Sequence, residues 1–497
     1  MDGYPTGLNI PHPWSWKVCA VLAVVAVTID VLIVQSPLVW LGAAGVLTIL
    51  AQFKSPLSGL AVVLFTCGLL NYSPFEIGAL SRLYAGDMAI AIFLIAWFGR
   101  QASWSCNSLF QPNLINRPLL GMAVITPLSM LWSRLHPDPS VTYNFPHSDV
   151  SWATVQVSQL ALFVATICIP FAVAATIKSW KNVEAVVITI GVVVAIGTLL
   201  TAAALIFGFG GSYAILGATR AYWEQPWDSS MEPLTALLLP FLYSGVLFGR
   251  RSLSAYWLIC VLFVLCLAGV VLTFSRESWL LAFAGLFLVS ALWLRRRVTP
   301  ALALMIIVVL VAAVVLSGAV GLIYHFYNPD EVYGLERIYY YAIALQLFAS
   351  HPLLGVGAGN YQFFDRSYTG EAAGGIAHNQ FLTVAAETGI LGLILLLWLM
   401  IALLRIRRKL LSSEGFAGDP HYWVKAAGSA FVLVWIAECL FQEAFFVTAA
   451  AGGGTKVVTA TVFPWVLLGV LFAAYSLGQT ASREQHLELL AADSCSQ

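Results

Sequence analysis

The chain is poor in charge. Only 10% of its 497 residues are Asp, Glu, Lys or Arg, and 60% are hydrophobic, whereas about 25% of a soluble protein is charged. So few solvating groups exclude a soluble enzyme, and so many apolar residues exclude a disordered chain. The 24 basic residues are matched by 24 acidic residues, so the net charge is +0. Because a nucleic-acid-binding protein needs a basic face, we expect no nucleic-acid partner.

Motifs for disulfides, metals and nucleotides are also missing from the sequence. None of the eight cysteines falls in a predicted outer loop or forms a Cys-x-x-Cys pair, so neither an exported disulfide nor a metal site is indicated. Gly355–Gly359 lacks the third glycine of a dinucleotide-binding loop and is interpreted as a flexible turn. Gly452–Lys456 lacks the Gly-Lys-Ser/Thr ending of a P-loop. We therefore expect no metal and no other cofactor.

Long apolar runs are what the sequence has instead. A helix needs about 17–25 apolar residues to cross a hydrocarbon core of about 30 Å. Runs of this kind predict an all-α polytopic membrane protein with roughly 12–14 transmembrane helices. The candidate spans are 17–35, 37–53, 56–71, 86–99, 115–133, 154–177, 183–208, 233–249, 254–272, 278–294, 300–323, 380–404, 425–444 and 457–478.

Basic clusters indicate how the spans are oriented. Arg250–Arg251, Arg295–Arg297 and Arg405–Lys409 fall on one side, which the positive-inside rule assigns to the cytoplasm. Continuing the alternation along the chain predicts that both termini are cytoplasmic. Two long segments, 209–232 and 324–377, are then extracytoplasmic loops, and connections of this length usually have a function. We therefore expect an active site on the extracytoplasmic side.

The chain divides into three regions by this map. Residues 1–178 are predicted to form amino-terminal transmembrane helices. Residues 179–405 are predicted to form the catalytic membrane region, which includes both long outer loops. Residues 406–497 are predicted to contain carboxy-terminal transmembrane helices and a cytoplasmic tail.

Two basic side chains flank late spans on the predicted outer side. Arg276 lies in a short connection between two apolar helices, where an unpaired guanidinium is costly. It either reaches lipid headgroups or pairs with Glu277, or it clamps an anion such as a lipid pyrophosphate. His378 precedes Asn379 at the start of a helix, whose dipole favours a neutral ring. It either makes an interfacial hydrogen bond or accepts a proton.

Carboxylates and aromatic residues complete the set of candidates. Glu387, Glu438 and Glu443 are intramembrane carboxylates and therefore functional candidates, which could pair with Arg276 or Arg337 or hold a water-filled cleft open. Outer aromatic residues, Tyr222 among them, could stack on sugars, although an interfacial belt is the commoner role at this depth.

The stretch 334–392 resembles the signature region of the O-antigen ligase and O-antigen polymerase superfamily. It contains Arg337, the sequence His-Pro-Leu-Leu-Gly-Val-Gly-Ala-Gly-Asn at 351–360, and the pair His378-Asn379, which nine residues separate from Gly389 and two more from Gly392. Glycines three apart share a helix face and allow a neighbouring helix to pack closely. Arg220 and the pair Ser275-Arg276 match two arginines of the same family, and the resemblance covers roughly residues 190–405.

The resemblance implies glycan transfer from a polyprenyl-pyrophosphate donor, without a metal, at the outer face of the bacterial cytoplasmic membrane. Arg276 and Arg220 would bind the pyrophosphate, and His378 would accept the proton of the acceptor hydroxyl, with inversion at the anomeric carbon. Arg337, Asn379, Tyr222 and Glu387 are predicted to bind substrate. The partners implied are a lipid-linked glycan donor, a glycan or lipid acceptor, and membrane lipids.

Two questions remain open at this point. A ligase passes a finished glycan to another acceptor and a polymerase joins two lipid-linked repeats, and the sequence does not separate them. The alternative class is a polytopic transporter or a flippase of lipid-linked glycans. A transporter predicts inverted repeats and charges deep within several spans, whereas no internal repeat is found and most ionisable residues lie at span ends.

Overall fold

The computed structural model is a bundle of long apolar helices with one short β-hairpin. Seven described helices are long and apolar enough to cross a bilayer, so the chain is an all-α polytopic membrane protein. The expected spans at 17–35 and 300–323 lie outside the described residues, and the total of roughly 12–14 helices stays a prediction. The structure describes residues 37–69, 85–103, 114–143, 151–207, 211–215, 218–222, 232–249, 252–273, 275–294, 336–369, 375–412, 419, 421–446 and 462–479.

Six helices in the described part of the chain precede the first long outer segment. They are α1 (Pro37–Lys54), α2 (Pro56–Leu69), α3 (Ala85–Ser103), α4 (Asn116–Leu135), α5 (Trp152–Thr176) and α6 (Trp180–Phe207). The break predicted at Lys54 and Ser55 is confirmed, and the Ser55 hydroxyl accepts a hydrogen bond from the backbone N–H of Ser58 at 3.0 Å. This contact satisfies a backbone donor that the first turn of α2 leaves unpaired.

The predicted outer loop 209–232 contains a β-hairpin that was not expected from the sequence. Strands β1 (Gly211–Ile215) and β2 (Ala218–Tyr222) pair antiparallel, with Tyr213 opposite Arg220. Two residues separate the strands, which is the commonest hairpin spacing. Tyr, Ile and Thr within the strands favour extended backbone, but the segment is too short and too rich in glycine to give a clear alternating pattern.

Helix α7 (Glu232–Phe248) lies at the centre of the bundle and packs against α8 (Leu253–Leu272) and α9 (Arg276–Leu294). Leu237, Leu238, Leu239 and Phe241 of α7 are fully buried. A Cβ atom added at Gly285 of α9 would lie 2.7 Å from Cγ of Pro240. The glycine therefore permits the close helix contact on which packing within a membrane depends.

The predicted loop 324–377 also contains secondary structure, which corrects that expectation. Helix α10 (Glu336–Ser350) and helix α11 (Tyr361–Thr369) lie within it. Ile343 and Leu347, four residues apart, are buried on one face of α10 together with the adjacent Ala344. They join a small apolar cluster that is separate from the main core of the bundle.

The last three described helices are α12 (Gln380–Ser412), α13 (Tyr422–Glu438) and α14 (Val462–Gln479). Aromatic rings fill the space between α13 and α14. The rings of Trp435 and Phe445 stack with centroids 4.1 Å apart, and Trp465 meets Trp435 edge-on at 5.2 Å. Both tryptophan N–H groups donate to backbone carbonyls at 3.0 Å, as buried polar atoms require.

Helix α12 is broken at Gly389, where φ is 68° and ψ is −163°. A Cβ atom at this position would collide with the backbone of Leu353, and the N–H of Ile390 donates to the carbonyl of Pro352 at 2.8 Å. The prediction that Gly389 and Gly392 form a face for a neighbouring helix is therefore wrong for Gly389. Its glycine allows the backbone of the 351–360 turn to approach the helix.

The same contacts correct the interpretation of Gly355–Gly359 as a flexible turn. The N–H groups of Val356 and Gly357 each donate, at 2.9 Å, to the α12 carbonyls of Ala386 and Glu387. Gly355 has a φ of 66°, and a Cβ atom there would collide with the backbone of Glu387. The turn is therefore held by backbone hydrogen bonds against the break in α12.

Candidate active site

His378 lies immediately before α12, in a segment that anchors the start of that helix. Its φ is 48°, and it is the one residue other than glycine in the left-handed region among the described residues. Asn379 follows as the helix cap. Its side-chain oxygen accepts from the N–H groups of Phe381 and Leu382 at 3.0 and 3.1 Å, and its amide donates to the carbonyl of Leu440 at 3.2 Å. The imidazole is thus held on a fixed backbone.

The ring of His378 contacts a glutamine from the segment that follows α13. Nδ1 of His378 and Oε1 of Gln442 are 3.2 Å apart. Nε2 of Gln442 donates to Oε2 of Glu277, in the first turn of α9, at 3.3 Å. The three residues form a chain of hydrogen bonds that joins α12, α13 and α9.

This chain fixes the tautomer of His378. The Gln442 amide directs its N–H₂ group toward α9, because Nε2 donates to Oε2 of Glu277 and an amide nitrogen can only donate. The amide oxygen then faces His378, and Nδ1 must carry the proton that the oxygen accepts. The lone pair remains on Nε2, and no described residue forms a hydrogen bond with that nitrogen. The ring can therefore accept a proton at Nε2.

Arg337, in the first turn of α10, places a positive charge beside the Glu277 carboxyl group. One of its terminal nitrogens lies 3.9 Å from Oε2 of Glu277, and its side chain is 40% exposed. Burial lowers the pKa of His378 from its ordinary value of 6.5, and the charge of Arg337 lowers it further, while the Gln442 hydrogen bond acts in the opposite direction. The direction agrees with the predicted neutral ring, but burial rather than the helix dipole is the main cause.

Glu438 places a second carboxyl near Glu277. Glu438 is 2% exposed, and its Oε2 atom has no hydrogen-bond partner among the described residues. The two carboxyl groups interact electrostatically. The sequence left open whether Glu387, Glu438 and Glu443 pair with Arg276 or Arg337. In the described part of the chain, the acid within ion-pair distance of Arg337 is Glu277.

Glu387 and Glu443 are also buried, and each accepts a hydrogen bond. Oε1 of Glu387 accepts from the N–H of Tyr361 at 3.2 Å, and Oε1 of Glu443 accepts from the Thr383 hydroxyl at 2.7 Å. Glu387 also lines a cavity of about 20 Å³ together with Gln159, Gln380 and others, which is room for about one water molecule. Glu387 therefore supports the turn from inside, and its contact with substrate stays a prediction.

The remaining predicted site residues are placed only by their backbones. Arg276 begins α9, one residue before Glu277, and Arg220 and Tyr222 belong to β2. The structure does not describe the side chains of these three residues. It therefore brings His378, Arg337 and the first turn of α9 together, and leaves the positions of the Arg276 and Arg220 guanidinium groups as predictions.

Gln442 is the site residue that was not predicted from the sequence. It stands between Glu438 and Glu443, in the run Glu-Cys-Leu-Phe-Gln-Glu at 438–443. Polar residues clustered at the end of an apolar helix are functional candidates. The position of the Gln442 amide among carboxylates could therefore have indicated a role at the site. Glu277 was considered only as a partner for Arg276.

A comparison with known protein families agrees with this geometry. Residues 261–397 match the family model described as O-antigen ligase. These residues are similar to that family, and the term O-antigen ligase domain refers to this matched stretch alone. The match agrees with the resemblance found in the sequence, and it supports glycan transfer of the O-antigen ligase or polymerase type by a multi-pass membrane protein. A search of curated proteins finds no match to the chain.

The O-antigen ligase domain extends from within α8 to within α12, so it contains Arg276, Glu277, Arg337 and His378. Arg220 lies before it and Gln442 lies after it. The hydrogen-bond chain at His378 thus combines two residues of the O-antigen ligase domain with one from outside it. The family implies that the substrates are lipid-linked glycans.

Proposed function

We propose that the chain transfers a glycan from a polyprenyl-pyrophosphate donor to an acceptor hydroxyl at the extracytoplasmic face of a bacterial cytoplasmic membrane. The observation that carries this proposal is the hydrogen bond between Nδ1 of His378 and Gln442, which leaves the lone pair of Nε2 available. The O-antigen ligase domain supplies the reaction class.

The chemical step follows from these groups. The acceptor oxygen attacks the anomeric carbon of the donor, and its proton passes to Nε2 of His378. The new glycosidic bond forms as the bond between the anomeric carbon and the pyrophosphate oxygen breaks, and the electron pair leaves with the polyprenyl pyrophosphate. Because the acceptor attacks from the side opposite the leaving group, the configuration at the anomeric carbon is inverted.

Arginines stabilise the negative charge that develops on the leaving pyrophosphate. Arg337 is partly exposed and makes one long ion pair within the described part of the chain, to Glu277, so most of its N–H donors are available to an incoming anion. Arg276 begins the neighbouring helix, and Arg220 on β2 completes the proposed set. Removing one preorganised donor of this kind typically costs about 3–4 kcal/mol of barrier. With arginines in this role, the proposed reaction proceeds without a metal.

Both termini are cytoplasmic in this proposal, and the substrates reach the site along the membrane surface. The ends of the helices that are predicted to be extracytoplasmic do meet one another. Trp152 at the start of α5 donates to Asn360 at 2.8 Å, and the Asn360 amide donates to Ser133 at the end of α4 at 3.0 Å. This shared face supports the alternation of spans on which the proposed location depends.

Reconstitution tests the proposal. The full-length protein in lipid vesicles is supplied with an undecaprenyl-pyrophosphate glycan and acceptor, and the products are analysed by mass spectrometry. We expect His378→Ala to lower the rate at least about 100-fold. His136→Ala serves as a control because that ring is exposed, follows α4, and lies 3.3 Å from a carbonyl of that same helix. Full transfer by His378→Ala would refute the assigned base.

The products of the same assay separate the two forms of the reaction. A polymerase converts the donor alone into longer lipid-linked glycans, whereas a ligase requires a different acceptor. Movement of the donor across the vesicle bilayer without any glycan transfer would instead support a flippase.

A further inference from the structure

One face of α4 carries apolar side chains that no part of the described chain covers. They recur every three or four residues and therefore form one stripe along the helix. In a membrane protein such a stripe faces lipid tails. Its members are Leu120, Val124, Leu128, Leu131 and Leu135, with exposed fractions from 42% to 68%. The stripe ends beside Arg134, so this arginine lies where the tail region gives way to headgroups.

The guanidinium of Arg134 is held in one orientation. Its Nε atom donates to Oε1 of Gln156 at 2.6 Å, and its Cζ atom lies 3.9 Å from the centre of the Trp152 ring. Tyr143 stacks on Trp152 with ring centroids 4.0 Å apart, so Trp152 is itself fixed. A guanidinium held at one edge and one face presents its remaining N–H groups in a fixed direction.

Those remaining N–H groups have no partner in the described part of the chain. No described carboxylate lies within ion-pair distance of Arg134. The acid nearest in sequence, Asp138, is engaged with Ser140, whose N–H and hydroxyl donate to Oδ1 at 2.8 and 2.6 Å. An arginine at the membrane boundary that has no counter-ion among the described residues calls for an anion from the membrane.

We propose that Arg134 binds the phosphate of an anionic bilayer phospholipid whose acyl chains lie along the exposed stripe of α4. Two N–H groups of a guanidinium match two oxygens of a phosphate. The charge complements an anionic headgroup, and the stripe complements the tails. The site lies outside the O-antigen ligase domain, at the end of the bundle that is predicted to be extracytoplasmic.

This lipid site is connected to the turn of the O-antigen ligase domain. Trp152, on which Arg134 stacks, donates its indole N–H to Oδ1 of Asn360, and the Asn360 amide in turn donates to Ser133, next to Arg134. A bound phosphate therefore adds a further contact to this arginine, and through Trp152 and Asn360 it stabilises the turn that packs on the break in α12.

Lipid binding by the purified full-length protein tests the proposal. Native mass spectrometry in detergent compares phosphatidylglycerol with monoglucosyldiacylglycerol, which has similar tails but no phosphate. We expect preferential retention of phosphatidylglycerol, and a loss of about tenfold in its affinity in Arg134→Gln. Arg100→Gln is the matched control, because Arg100 also donates to a glutamine, Gln52, at 2.8 Å but lies at the end of α3.

A second variant separates orientation from charge. Gln156→Met keeps the arginine but removes the acceptor that holds Nε, so we expect an intermediate loss of phosphatidylglycerol binding. This variant also keeps the proposal testable if Arg134→Gln fails to fold, which thermal unfolding would reveal. Equal binding of phosphatidylglycerol by the wild type and both variants, or equal retention of the two lipids, would overturn the proposal.

Competition identifies the source of the phosphate. We expect undecaprenyl phosphate to displace phosphatidylglycerol no better than other anionic lipids do. Strong displacement that Arg134→Gln abolishes would assign the site to the isoprenoid substrate and overturn the assignment to a bilayer lipid. The assay contains no glycan, so its outcome is independent of the proposed transfer reaction.

Discussion

Gln442 donates its amide N–H₂ group to Glu277 across 3.3 Å, from the segment that follows α13 to the first turn of α9. Glu277 therefore controls a histidine that it does not touch. The carboxylate orients the amide, and the amide oxygen then determines which imidazole nitrogen of His378 carries the proton. Substitutions along this chain should change the catalytic behaviour of His378 in predictable directions.

We predict that Gln442→Leu lowers kcat for glycan transfer roughly fivefold or more. The leucine fills the same space but no longer holds the proton on Nδ1, and a hydrogen bond of this kind is worth about 1 kcal/mol. Because substrate contacts are unchanged, KM should change little. The control is Gln479→Leu, which removes an exposed glutamine that donates to Tyr475 at the end of α14. Wild-type kcat in Gln442→Leu would show that the tautomer is set by something else.

We predict that Arg337→Gln moves the acid limb of the pH–rate profile to higher pH. The charge of Arg337 lowers the pKa of His378, so its removal raises that pKa, and the ring is protonated and inactive over a wider acidic range. Gln442→Leu should move the limb the other way, because the hydrogen bond from His378 to Gln442 raises the pKa. The measurement is kcat/KM against pH for the two variants and the wild type. Shifts of the same sign would contradict this account of the electrostatics.

The membrane class, most described spans and the region of the site were predictable from the sequence, because each depends on local signals. Apolar runs reveal the spans, and the spacing of His378, Gly389 and Gly392 carries the family resemblance. The contribution of Gln442 depends on how α9, α12 and α13 meet, and packing of distant segments leaves no periodic pattern in the chain. The role of Gly389 was misread for a similar reason, since its left-handed φ follows from the approach of the 351–360 turn.

Helices within the long segment 324–377 were missed for a different physical reason. Helix α10 has 15 residues and includes Glu336, Arg337 and Gln346, so it is too short and too polar to be identified as a membrane span. Polar and glycine-rich flanks then made the whole segment resemble a loop. The contact between Arg337 and Glu277 was also not predicted, because several acids lie at neighbouring helix ends and the sequence does not give the distances between them.

We predict that Gly389→Ala destabilises the protein more than Gly392→Ala does. A φ of 68° costs an alanine about 1 kcal/mol or more, and its Cβ atom would collide with the backbone of Leu353, which cannot move without breaking the Ile390–Pro352 hydrogen bond. At Gly392 the added atom would meet the side chain of Thr388, one turn earlier on the same helix. Thermal unfolding in detergent measures the difference, and equal melting temperatures would contradict the assigned role of Gly389.

We predict that reporter fusions after Arg297 and within 324–335 report opposite compartments. The first fusion follows a basic cluster, which favours the cytoplasm, and the second precedes α10, which belongs to the proposed extracytoplasmic site. Alkaline phosphatase activity marks the extracytoplasmic side and green fluorescence the cytoplasmic side. A third fusion after Lys409, which should match the one after Arg297, is the control. If the first two fusions report the same compartment, the span at 300–323 does not cross the membrane, and the proposed extracytoplasmic location of His378 loses its basis.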